Sequence, residues 1–147
     1  MGAHLTEEQY RKFYTDTKTV AVVGASENHE KAAYGIPAYL HREGYRIIPV
    51  NPKGGEMFGE KVRTSLAEIG EPVDAVDVFR PADETPDIAR QAAAVGAKVL
   101  WLQEGIHSDE AQRIAEEAGM TFVSDTCMGH THWDLFHADH DDEAEGP

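Results

Sequence analysis

Short apolar, β-branched runs alternate with stretches of helical spacing along most of the chain. The apolar runs fall near residues 19–24, 45–50, 74–79, 98–103 and 120–124, and their length and Val/Ile content predict buried strands. Between them, residues 32–42, 65–69, 85–95 and 109–118 carry apolar side chains every three or four positions, the spacing of one helix face. Gly44, Gly70, Gly96 and Gly119 each stand where one of these helices should stop. Ahead of the first strand, Thr6 and Gln9 have the spacing of a capping box, and Tyr10, Phe13 and Tyr14 share a face, which predicts a leading helix over residues 6–16. Regular alternation of strand and helix predicts an α/β protein built on a parallel sheet. With right-handed connections the expected product is a doubly wound, five-stranded sheet in the order 3-2-1-4-5, with a ligand at the carboxyl ends of its strands. One domain is expected over residues 1–137. The remainder, 138–147, is dominated by Asp, Glu, His and Gly and is expected to be a disordered acidic tail.

Composition narrows the possible partners. The 147 residues carry 27 acids against 13 bases, a formal net charge of −14, which repels nucleic acid and anionic membrane surfaces. No apolar run is long enough to cross a bilayer and no basic segment leads into an apolar one, so a protein of the cytoplasm is expected. The single cysteine, Cys127, excludes an intramolecular disulfide framework and suits a reducing compartment.

Against this acidic background the first strand and its turn stand out. Val20 to Ser26 reads VAVVGAS, a buried strand running into Gly24, Ala25 and Ser26, where backbone amides and a following helix N-terminus can approach an anion. Lys31 supplies a cation close by. In the bland alternative Ser26 is a helix cap and Lys31 a solvated side chain. Strand two ends in Val50, Asn51, Pro52 and Lys53, where an NAD site carries an acid for the ribose 2′-hydroxyl. A lysine there suits an additional phosphate, and Pro52 offers a wall for a purine, although Asn-Pro is equally a plain turn signal. Strand three ends in Phe79 and Arg80, and strand four in Trp101, Leu102, Gln103, Glu104 and Gly105. Phe79 and Trp101 suit a core equally well, whereas Gln103 and Glu104 read either as ligand contacts or as turn and cap residues.

Taken together in this order, VAVVGAS, the Lys31 and Tyr34 pair, GYRIIPVNPK from Gly44 to Lys53, GEKV, SLAEI, VDAVDVFR, GAKVLWLQEGI and the late Asp125 and Cys127 resemble the small bacterial CoA-binding domain family. The resemblance covers about residues 8–133 and extends to the CoA-binding part of the succinyl-CoA synthetase α subunit. It implies a Rossmann-like single domain with coenzyme A, free or acylated, across the carboxyl edge of the sheet. It further implies that Gly24, Ala25 and Ser26 cradle the pyrophosphate with Lys31 and Tyr34 nearby. Val50, Asn51, Pro52 and Lys53 would flank the adenosine, and Phe79, Arg80, Gln103, Glu104 and Gly105 would line the pantetheine path. Two positions depart from the family pattern: Thr126 stands between Asp125 and Cys127 where Arg is usual, and Arg63 follows GEKV where Tyr is frequent.

No nucleophile and base converge in the sequence. Ser26 has no evident partner histidine, and nothing corresponds to the second domain that carries the phosphorylated histidine of the synthetases, so binding without catalysis is expected. Two other readings remain: an NADP-dependent or CoA-transferring enzyme acting with a partner subunit or as a homodimer, and a ligand-free regulatory or interaction domain. Cys127, His130, His132, His137 and His140 are residue types that ligate zinc or nickel, but their spacing matches no standard site and no resident metal is expected. Cys127 at the ligand edge also suggests a mixed disulfide with the CoA thiol, against the commoner case of a buried, inert cysteine.

Overall fold

A computed structural model describes residues 2–137 and 146–147. The expected acidic tail falls mostly on residues 138–145, outside the described residues. The elements run α1 (Glu7–Asp16), β1 (Thr19–Val23), α2 (Ala32–Arg42), β2 (Arg46–Val50), β3 (Glu56–Met57) and β4 (Glu60–Lys61), followed by a 3-10 turn at Leu66–Ile69. Then come β5 (Ala75–Val78), a 3-10 turn at Ala82–Glu84, α3 (Thr85–Ala94), β6 (Val99–Leu102), α4 (Asp109–Glu117), β7 (Thr121–Val123) and α5 (Met128–Phe136). Each expected strand forms, as do the helices expected over residues 6–16, 32–42, 85–95 and 109–118, whereas the one expected over 65–69 is only the 3-10 turn; the Thr6–Gln9 capping box closes reciprocally at the start of α1. No helix among the described residues is long and apolar enough to cross a membrane.

The five long strands form one parallel sheet, but its order is β2-β1-β5-β6-β7. In strand numbers this is 2-1-3-4-5, and it corrects the expected 3-2-1-4-5: the third long strand lies inside β1 rather than outside β2. Pro49 gives the physical reason. Its carbonyl, on the outer side of β2, accepts the Arg63 amide at 3.0 Å, so its nitrogen, which carries no hydrogen, faces the same open side. A strand placed there would find a missing donor, and proline in a sheet belongs on an edge. All that remains of an outer strand is one bridge between Val50 and Arg63.

The sheet is covered on both sides, as its continuous apolar strands require. Successive residues of each strand alternate between two cores. Val20, Val22, Ile47, Val99, Trp101 and Val123 face α1, α2 and α5, whereas Ala21, Ile48, Val76, Val78, Leu100 and Leu102 face α3, α4 and the Leu66–Ile69 turn. Trp101 is completely buried among Phe13, Tyr14 and Tyr10, with its indole N–H donating to the Thr126 carbonyl at 2.8 Å. It is core, the second of its two expected readings.

Two elements were not legible in the sequence. The β3–β4 ribbon turns tightly through Phe58 (φ 55°) and Gly59 (φ 75°), a left-handed pair with phenylalanine where Asn or Asp is the usual signal. Helix α5 has a weak local signature, MGHTHWDLF, and is held by packing. Gly129 faces Ile36 of α2 so closely that an added Cβ would lie 3.1 Å from the isoleucine side chain.

Candidate functional site

Two clefts adjoin along the carboxyl edge. The larger, about 670 Å3, lies between the loops after β1 and β2 and gathers Gly24, Ala25, Ser26, Lys31, Val50, Asn51, Pro52 and Lys53, with Thr64, Ser65, Arg80 and Glu84 on its far wall. The second, about 570 Å3, is a groove among Lys31, Ala32, Ala33, Ile36, Phe79, Arg80, Gln103, Glu104, Cys127 and His130. Lys31 and Arg80 line both, so the two adjoin there as arms of one trough. Twelve of the fourteen ligand positions expected from sequence line it. Tyr34 does not: it stacks on His29 at 4.0 Å and packs on Phe58, steadying the β3–β4 ribbon. Gly105 does not either, its amide donating to the Asp125 carboxylate at 2.6 Å.

Local hydrogen bonding revises what the glycine turn offers an anion. The Gly24 amide donates to the Val50 carbonyl and the Ser26 amide to the Ala33 carbonyl, each at about 3 Å, and the Ser26 hydroxyl accepts the Asn28 amide at 3.0 Å. Gly24 itself is demanded by its neighbour strand: at φ 89° an added Cβ would meet the Phe79 carbonyl oxygen at 2.8 Å. Asn51 likewise works as a clamp, donating its side-chain amide to the Ala25 carbonyl at 2.7 Å while its oxygen accepts the Lys53 amide.

The donors left over belong to α2. This helix starts at Lys31 with no side-chain cap and no acid in its first turn, and the amides of Ala32 and Ala33 make no hydrogen bond among the described residues. At α1 and α4 the sequence satisfies the helix start in the usual way, with Thr6, Glu7 and Glu8 at the first and Ser108, Asp109 and Glu110 at the second. A lysine at an uncapped N-terminus opposes the helix dipole, and an anion held there would satisfy both. Lys31 and Lys53 are also unpaired among the described residues, in a chain where Arg46, Arg63, Arg90 and Arg113 each meet a carboxylate. Arg80, where the clefts join, is gripped by Glu84 through two hydrogen bonds of 3.0 and 2.8 Å.

Beneath the groove lies a group that the sequence reading missed. Asp77 of β5 is completely buried, one of its oxygens accepts the Gln103 side-chain amide, and the other, Oδ2, has no partner. Burial pushes its carboxyl up to about 7, against the opposing pull of the Gln103 and Val78 donors. Its signal was present in VDAVDV, an acid within a fully buried strand. Cys127 caps α5, its sulfur accepting the His130 amide at 3.4 Å. Burial raises its thiol, with the nearby Asp77 and Glu104 charges adding to that and the helix amides opposing it. A thiol so held is not an activated nucleophile.

The five residues weighed as metal ligands do not assemble. Cys127 and His130 line the groove, His132 and His137 turn toward the end of α2, and His140 lies outside the described residues. A further concavity of about 300 Å3, lined by Phe13, Lys12, Asp74, Lys98 and Thr121, opens at the opposite, amino edge of the sheet.

With this geometry in view, comparison with known proteins is decisive: the CoA binding domain family matches residues 18–133. The chain belongs to that family. It is 33% identical over 127 residues to the protein YneT of Bacillus subtilis (strain 168), covering 86% of this chain and 94% of that one. It is 25% identical over 134 residues to the acetate–CoA ligase [ADP-forming] of Methanocaldococcus jannaschii, covering 84% of this chain. The chain spans only 19% of that ligase, so the likeness is to a small part of it. Among solved structures, a Thermus thermophilus protein, cell-free ID.343, superposes with a TM-score of 0.86 at 38% identity, covering 90% of this chain and all of that one. A protein from Pyrococcus horikoshii OT3 gives 0.86 at 38% identity, covering 89% of this chain and 92% of the other. The Rossmann-like α/β fold and the CoA-binding family expected from the sequence are both borne out.

Proposed function

We propose that the protein binds coenzyme A or an acyl-CoA in the cytoplasm, along the trough that the two clefts make, without catalysis of its own. The adenosine and its ribose phosphate occupy the cleft between the β1 and β2 loops, near Pro52 and Lys53. The pyrophosphate sits where the clefts join, with Lys31 and the free amides of Ala32 and Ala33 as its donors. The pantetheine arm follows the apolar groove over Ile36 and Phe79 toward Gln103 and Cys127. The observation that carries this reading is the uncapped, lysine-headed start of α2 at the junction of the two clefts.

The groups along the trough speak against catalysis. Cys127 is held as a thiol, Asp77 has a buried amide for a partner, and Ser26 accepts a local backbone amide, so none of the three is paired with a base that would activate it. Calorimetry of the purified protein against CoA, NADP and NAD tests the reading. CoA is expected to bind tightest. Binding of NADP alone would replace it with a nicotinamide function, and a melting temperature unmoved by excess CoA would favour a ligand-free role.

A further inference from the structure

Helices α2 and α5 end at the same place. The residue that follows α2 is Glu43 and the residue that follows α5 is His137, and these meet one turn above His132. The His137 Nε2 lies 2.7 Å from Glu43 Oε1, the His132 Nδ1 lies 3.9 Å from the same oxygen, and one ligand atom from each of the three residues falls within 4.8 Å of the others. Around a zinc ion bound at about 2.1 Å, tetrahedral ligand atoms stand about 3.4 Å apart. The two separations to Glu43 fall either side of that value, and all three ligand atoms already lie within 4.8 Å of one another, so a modest closing of the side chains brings them onto one ion.

We infer that Glu43, His132 and His137 form a zinc site that ties the end of α2 to the end of α5. Three independent features support a cation here. Two helix C-termini converge, and the negative ends of their dipoles favour positive charge. The donor set, two imidazoles and a carboxylate, is one that zinc takes with an oxygen completing the shell. The imidazoles are also held in place before any ion arrives: His132 is buried beside Tyr45 and Phe136, and His137 stacks on Trp133 with ring centres 4.9 Å apart. The Tyr39 hydroxyl, 2.7 Å from the His132 Nδ1, gives up that bond when the nitrogen takes the metal. Arg42 lies on the face of the Tyr39 ring, 5.9 Å from its centre. This site shares no residue with the CoA trough.

The test is zinc titration of full-length protein made without a histidine tag and stripped of metal by a chelator, with cobalt(II) as a spectroscopic probe. One equivalent of zinc is expected to bind and to raise the melting temperature, and cobalt is expected to give visible bands of tetrahedral intensity without a thiolate charge-transfer band. H137Q, a change at a partly exposed residue, and E43Q are each expected to weaken zinc at least tenfold while leaving CoA affinity unchanged; C127S and H130Q are expected to leave zinc binding intact. Failure to bind a stoichiometric ion, a thiolate band from Cys127, or undiminished binding in H137Q and E43Q would each overturn the site and leave the three residues as an ion pair.

Discussion

The two arms of the trough are built by different means. The cleft between the β1 and β2 loops is a surface of backbone, hydroxyl and lysine, tied together by the Asn51 clamp and the Gly24 turn. The groove toward Cys127 is walled by α2, β5, β6 and α5, and rests on a buried acid whose second oxygen is unpartnered. The first arm offers charge to whatever enters, and the second offers shape and an apolar wall. Substitutions in the two arms should therefore fail differently, the first through affinity and salt dependence and the second through stability and pH.

The largest effect is expected where the backbone of the first arm presses on Phe79 of the second. Gly24→Val forces a branched side chain into left-handed backbone and against the Phe79 carbonyl, and should cost about 3 kcal/mol in urea unfolding. An unchanged midpoint would show that the β1 and β5 ends can part. Next comes charge. Lys31→Glu and Lys53→Glu together should weaken CoA about 100-fold at low ionic strength, with the gap narrowing as salt is added, since charge-assisted hydrogen bonds are worth about 1.5–3 kcal/mol. Loss confined to one lysine would place the phosphates at that end of the cleft alone.

The groove's signature is a pH dependence. Asp77 is raised to about 7 in the fold, while an unfolded aspartate titrates near 3.9, so on raising the pH the unfolded chain releases its proton first. Stability contributed by the neutral carboxyl is then complete below about pH 4, falls as pH rises toward about 7, and levels off above it. Asp77→Asn removes this component, so the wild-type minus variant difference in unfolding free energy should decline across that window; a flat difference would mean that the acid is charged in the fold. The smallest effect is expected at the far edge of the sheet, where Lys98→Ala, at a highly exposed and loosely paired lysine, should change neither melting temperature nor CoA affinity.

How much was legible in advance follows the same division. The β1 and β2 loops carry their chemistry in contiguous residues, and Gly24–Ser26 and Val50–Lys53 could be read directly as the edge of a cleft. Their individual roles could not, because which amide is free depends on partners such as Ala33 and Val50 that meet only in the folded chain. The groove depends on α5, whose MGHTHWDLF offers weak helix propensity and gains its conformation from Ile36 and Tyr14, the latter donating its hydroxyl to the Met128 carbonyl at 2.6 Å. Tyr34 lies on a helix next to the ligand edge, yet the direction of its ring was fixed by Phe58 in a ribbon that lacked the usual turn residues. The strand order is written in Pro49, since the expected order 3-2-1-4-5 would place β2 and its proline inside the sheet, where proline is not tolerated.

The central claim is that the start of α2 and the two loops beside it hold the CoA phosphates. The direct measurement is amide chemical-shift mapping of the isotopically labelled protein on addition of CoA. The account predicts the largest shifts at Ala25, Ala32, Ala33 and Lys53, smaller ones at Phe79 and Cys127, and none at Lys98 or Thr121 on the amino edge. Shifts centred on Lys98 and Thr121, or none at Ala32 and Ala33 at saturating CoA, would contradict it.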